Sequence, residues 1–140
     1  MTPLGQLYDA IVARLQAQLT GVQVLARENT VQFLRRKPSV PTVVINWSGA
    51  ETQPPPIIGQ SHQQSEMIWT LEVFAPGASD AAEELASALA NDVIEALAPA
   101  ASSWSPADDC GPMRWERSEA LGETETGYVI AVTFRHAIWR

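Results

Sequence analysis

The stretch Glu66-Met67-Ile68-Trp69-Thr70-Leu71-Glu72-Val73-Phe74-Ala75-Pro76-Gly77 decides how this chain is read. Successive side chains of a strand point to opposite faces. Met67, Trp69, Leu71 and Val73 therefore share one side, and Ile68, Thr70, Glu72 and Phe74 the other, with Glu72 expected to be wet. Pro76 and Gly77 end the strand. Ser79 or Asp80 then opens an alanine-rich helix that Pro99 closes. Asp80 stands three residues before Glu83, the spacing of a capping box. Leu85, Leu89, Val93 and Leu97, with Ala82, Ala86, Ala90 and Ile94 beside them, make an apolar stripe whose small alanines let the helix lie flat on a sheet.

The chain on either side supplies the rest of that sheet. Thr2-Pro3 reads as a hydroxyl cap with proline in the first helical turn. Leu4, Leu7, Tyr8, Ile11, Leu15 and Leu19 then recur at helical spacing until Gly21. Residues 22–27 suggest a short strand. Residues 28–37 alternate like a strand at Val31 and Phe33, yet Val31 and Leu34 share a helical face. One or two helical turns are expected there, capped by Asn29 or Thr30 and ending before Pro38. Residues 41–47 are a β-branched strand. A loop is expected over residues 48–65, which contain Pro54-Pro55-Pro56 and the polar run Gln60-Ser61-His62-Gln63-Gln64. Residues 113–121 and 128–139 read as a closing antiparallel hairpin. The expected architecture is a single α+β domain over residues 1–140. It has a four-stranded, mainly antiparallel sheet with two main helices packed on one face.

Composition narrows the function classes. With 140 residues, 46% apolar and 18% charged, the chain has ordinary globular composition. No apolar run approaches the ~18 residues needed to span a bilayer. Met1-Thr2-Pro3-Leu4-Gly5 lacks the features of a signal peptide, so a cytoplasmic chain is expected. The net charge of −7 argues against a general nucleic-acid binder. That charge is uneven: residues 1–50 hold five basic and two acidic side chains, residues 51–140 four basic and fourteen acidic. Such asymmetry suits head-to-tail self-association, with Arg35-Arg36-Lys37 as the compact basic run.

Catalytic signatures are missing from the sequence. It contains no phosphate-binding loop, dinucleotide fingerprint, zinc-protease helix or nucleophile elbow. Cys110 is the only cysteine and follows Asp108-Asp109, which would raise its pKa if close in space. His62 and His136 have no partner at metal-ligand spacing, and no cofactor is implied. Glu83 and Glu84 suit a helix dipole better than acid-base work. Five tryptophans are many for a core of this size. Trp69 and Trp115 are expected in the core or on a sheet face, Trp47 and Trp104 beside loops.

The order of elements, with its local sequence, resembles bacteriophage tail-terminator or tail-completion proteins, closest to the branch of Mu-like phages and prophages. The matching pieces are the helix from Leu4 to Leu19, the strand Pro41-Thr42-Val43-Val44-Ile45, the long loop, the strand-turn-helix from Glu66 to Leu97, and the hairpin from Met113 to Trp139. The resemblance implies a ring, typically of six copies, on the end of the tail tube. The ring stops polymerisation and offers a surface to the head connector. It implies tail tube and connector proteins as partners, no nucleic acid or membrane, no catalytic residue, and a place in the virion tail after assembly in the host cytoplasm. As contact candidates it leaves the loops and edges, with Arg35, Arg36, Lys37, Trp47, His62, Gln63 and Trp104. A neck or head-tail connector protein is the nearest alternative. A ligand-binding or enzymatic α+β domain using Glu66, His62 or Cys110 is the other.

Overall fold

A computed structural model describes residues 2–53 and 64–139. In chain order its elements are α1 (Leu4–Gln18), β1 (Gln23–Ala26), α2 (Thr30–Arg35), β2 (Thr42–Gln53), β3 (Gln64–Pro76), α3 (Ser79–Leu97), β4 (Arg114–Glu123) and β5 (Gly127–Trp139). The alternating stretch at 66–74 falls within β3, the centre of one five-stranded sheet of order β1-β2-β3-β5-β4. The fold is thus α+β, as the sequence implies, with a fifth strand in place of four. β1 pairs parallel with β2, so the sheet is mixed. The connection from β1 runs through α2, which is long enough to return the chain for parallel pairing.

The alternation in β3 sorts the layers. Trp69, Leu71 and Val73 are fully buried in the main core with Leu7, Ile11 and Leu15 of α1 and Ala86, Ala90 and Val93 of α3. Both long helices therefore cover one face, with α3 lying across β5 and β3 and α1 against α3 and β1. Phe74 points the other way and joins Phe33, Val44 and Val129 in a second cluster, so α2 caps one end of the opposite face. Phe33 and Phe74 meet edge to face at 5.8 Å, the geometry their ring quadrupoles favour. α2 takes the helical option for residues 28–37, with the Asn29 side chain accepting from the Gln32 N–H at 3.1 Å.

Four expectations are corrected. Thr2 does not cap α1: its N–H and hydroxyl donate to Asp109, both at 2.6 Å, and Pro3 stands at the cap without a side-chain bond. Asp80 does not close a capping box either, because α3 starts one residue earlier, behind Ala78. Its carboxylate lies inside the first turn, where it still favours the helix dipole. The expected loop over 48–65 is strand at both ends, since β2 runs on to Gln53 and β3 begins at Gln64, the two paired antiparallel. Pro54-Pro55-Pro56, His62 and Gln63 lie outside the described residues. Finally, Leu85 belongs to no buried stripe and is 46% exposed. The buried set runs Ala82, Ala86, Leu89, Ala90, Val93, Ala96 and Leu97, which turns Leu85 to the rim.

This difference within one helix is measurable. Leu89→Ala should cost about 2–5 kcal/mol of unfolding free energy, and Leu85→Ala should stay within about 0.5 kcal/mol of the parent. Urea denaturation followed by circular dichroism reads both. Equal effects would contradict the burial pattern.

Candidate functional site

The pairing registers place side chains in rows across the sheet, and one row is aromatic from edge to edge. Trp47 of β2 faces Trp69 of β3, Trp69 faces Phe134 of β5, and Phe134 faces Trp115 of β4. The two inner members are fully buried, whereas Trp47 is 39% and Trp115 49% exposed. Both ends of the row stand at open edges. β1 stops at Ala26, in register with Ile45, so among the described residues β2 has no strand on its outer side from Asn46 onward, where the Tyr8 hydroxyl accepts the Trp47 N–H and the Glu28 carbonyl the Asn46 side-chain amide. β4 is the other edge and is exposed along nearly all of its ten residues. Trp115, expected in the core or on a sheet face, takes the sheet face and stays wet, because β4 has no strand or helix on its outer side among the described residues.

Edge strands template unwanted pairing, and charge and bulges blunt them. β4 shows both devices. Its register slips between Trp115 and Arg117 and between Ala120 and Gly122. Charged residues recur at Arg114, Glu116, Arg117, Glu119 and Glu123. The exposed Trp115 and Leu121 stand out against that protection.

The face away from α1 and α3 is polar and crossed by ion pairs. Arg135 donates to Glu116 at 2.8 Å and to Glu51 at 2.9 Å, tying β4 to β2 over the intervening strands. The Glu51 and Glu116 hydrogen bonds keep the guanidinium more firmly charged, against a smaller opposing effect of burial. Arg114 donates to both oxygens of the nearly buried Glu66, at 2.7 and 2.8 Å. The next row reads Asn46, Thr70, Thr133 and Arg117. Arg117 has no ion-pair partner among the described residues, and neither has Glu72. Glu72 lines a cavity of about 480 Å³ with Arg27, Glu28, Asn29 and Asn46, beside the open edge of β2.

The contact candidates are scattered. Arg35, Arg36 and Lys37 are exposed at the end of α2, Arg36 pairing with Glu28 at 3.0 Å and Lys37 with Glu125 at 3.7 Å. Lys37 takes a left-handed φ of 51° as the chain leaves the helix. Trp104 is half-buried on the helix side, with the Arg14 guanidinium 5.6 Å over its ring. It shares no surface row with Trp47. Arg117, Trp115 and the Arg135 ribbon escaped sequence reasoning. A signal did exist: residues 114–119 carry charge at both odd and even positions, as an edge strand does.

The groups that could do chemistry are engaged structurally. Cys110 is buried beside Asp109, and burial first, then that carboxylate, push its thiol up to about 12, which suppresses the nucleophilic thiolate. Asp109 itself is held below the ordinary carboxylate value chiefly by its bond from the Thr2 hydroxyl. No group of three metal-ligating side chains occurs among the described residues. Their helices include none long and apolar enough to cross a membrane. No protein-family model matches the chain, and no curated protein matches it.

His136 is buried and accepts a hydrogen bond from the Trp69 indole N–H through Nε2 at 2.9 Å. Its proton therefore resides on Nδ1, 3.0 Å from the Ala137 carbonyl. A second proton would set two N–H groups against each other. Burial, the largest influence, holds the imidazole below its ordinary 6.5, against upward pulls from the Ala137 carbonyl and Glu66. The unfolded chain thus binds a proton that the folded chain refuses. Stability should be full above that ordinary value and fall as pH drops below it, by up to ~1.4 kcal/mol per pH unit until the folded imidazole titrates. Urea midpoints between about pH 7.5 and 5.5 should show this decline, and His136→Gln should flatten it. A slope equal in both proteins would sink the assignment.

Proposed function

We propose that this chain is a structural tail-completion protein of a phage or prophage, acting without catalysis. It assembles as a closed ring of about six copies that caps the tail tube, ends polymerisation and presents a surface for head joining. One observation carries the reading. The subunit has two unlike sheet margins, β4 and the part of β2 that runs past β1, and each bears an exposed tryptophan. A closed ring needs two unlike, complementary patches on every copy. The element order that resembles the tail-terminator family supports the same conclusion. The enzymatic alternative has less to work with, since Glu66 is bound by Arg114 and the Cys110 thiol is suppressed. A neck or connector role would use the same edges and differs in which virion proteins they meet.

Two experiments test this. Electron microscopy of particles from a phage lacking the chain should show tails of uncontrolled length that do not join heads. Normal-length tails joined to heads would refute the reading. Separately, Arg35→Glu with Arg36→Glu should slow ring assembly on the tube by on the order of tenfold. The fold should persist, because the Arg36–Glu28 pair is exposed and such pairs contribute about 0–1 kcal/mol. Unfolding, or assembly at the parent rate, would remove the basic run from the assembly surface.

A further inference from the structure

Resting on the ring reading, the geometry assigns the contact between neighbours. We propose that copies join side by side and head to tail, with the side chains of residues 114–117 of one copy packed against the β2 margin of the next at Asn46 and Trp47, whose outward N–H stays with the Tyr8 hydroxyl. Trp115 packs against Trp47 of the next copy, and Arg117 enters the next copy's cavity lined by Glu28, Asn46 and Glu72.

Three features of the single chain carry this. The first is level. Trp47 and Trp115 end the same row, and Asn46 and Arg117 end the adjacent row, so one sideways placement brings both pairs together. They also match in face. The tryptophans belong to the row of buried Trp69 and Phe134 on the helix side, and Asn46 and Arg117 to the polar face, so the contact is fixed on both sides of the sheet.

The second is polarity. β2, β3, β5 and β4 alternate in direction, so the two edges run oppositely and a neighbour continues the antiparallel order. The third is charge. Arg117 is a cation without an ion-pair partner, and Glu72 a carboxylate without one, among the described residues. Glu28 in the same cavity holds only the exposed Arg36. Arg27, the cavity's cation, has its guanidinium 4.5 Å over the Tyr8 ring.

The extent of the contact follows from β1. Its last residue, Ala26, is level with Ile45, and Ile45 shares a row with Ser118 through Leu71 and Val132. Beyond Arg117 the neighbour's β1 occupies the edge, so docking stops there. Tryptophan and arginine are the side chains that most often anchor interfaces. A two-fold pairing of β4 with β4 would leave Trp47 and the acidic cavity bare.

Sedimentation velocity of the full chain at low salt tests the charge. The parent should self-associate, Arg117→Glu should weaken association by about tenfold or more, and adding Glu72→Arg to that variant should restore most of it. A parent that stays monomeric, or an Arg117→Glu variant that associates as well as the parent, overturns the contact. Cysteine pairs test the contact, since residues whose side chains pack against each other can come within disulfide range. Mild oxidation of Trp47→Cys mixed with Trp115→Cys should give one dimer, and the chain carrying both a ladder that ends at the ring. Cys110, buried and weakly acidic, stays out of the reaction. Dimers from Trp115→Cys alone, or none from the mixture, overturn the contact. Tail length scores the ring's role separately: intact cross-links with lost tail phenotype would reject the tail reading and leave the edge contact standing.

Discussion

The structure depends on the burial of one indole with a single polar group. Trp69 sits at the middle of the central strand with no exposed surface, under the edge of Tyr8 at 4.9 Å. Its N–H is satisfied by His136 from the neighbouring strand. A buried donor without a partner costs about 1–3 kcal/mol, so the pair fixes both the register of β3 on β5 and the protonation state of the histidine. The Tyr8 hydroxyl in turn accepts the Trp47 N–H at 2.7 Å. One aromatic centre thereby ties α1, β2, β3 and β5 together.

The same centre explains why the sheet has unfinished sides. An aromatic row four strands wide is broader than α1 and α3 can cover, and its outer members remain in water at the two edges. Bulges and alternating charge keep those edges from pairing at random. They leave the two outer tryptophans exposed. The strand pairing sets the separation of the edges, and the ion pairs of Arg135 with Glu51 and Glu116 cross the same span on the far face.

How much of this was legible depended on the kind of residue. The inward set of β3 could be read from alternation alone, since each apolar residue there has a polar or aromatic neighbour to contrast with. α2 was readable because Asn29 offers a cap and Pro38 a stop. Leu85 misled, because a leucine at the rim of a helix stripe obeys the same periodicity as one at its centre. Thr2 misled for another reason: its hydroxyl had a better acceptor in Asp109, more than a hundred residues away. β1 is legible as a strand but not as a member of the sheet, because parallel pairing leaves no turn signal between partners.

By itself the sequence determined the local elements, the buried face of β3, the middle of each long helix's apolar stripe and the unequal distribution of charge, since these follow from periodicity and side-chain chemistry within a few neighbouring residues. Only the tertiary structure decided which strands became edges, which tryptophans stayed wet and which ions found partners. Those outcomes depend on pairing between residues far apart in the chain. Trp69 and Trp115 look alike in sequence. One lies in the central strand beneath two helices, the other on a strand with nothing beyond it, and strand order alone separates them.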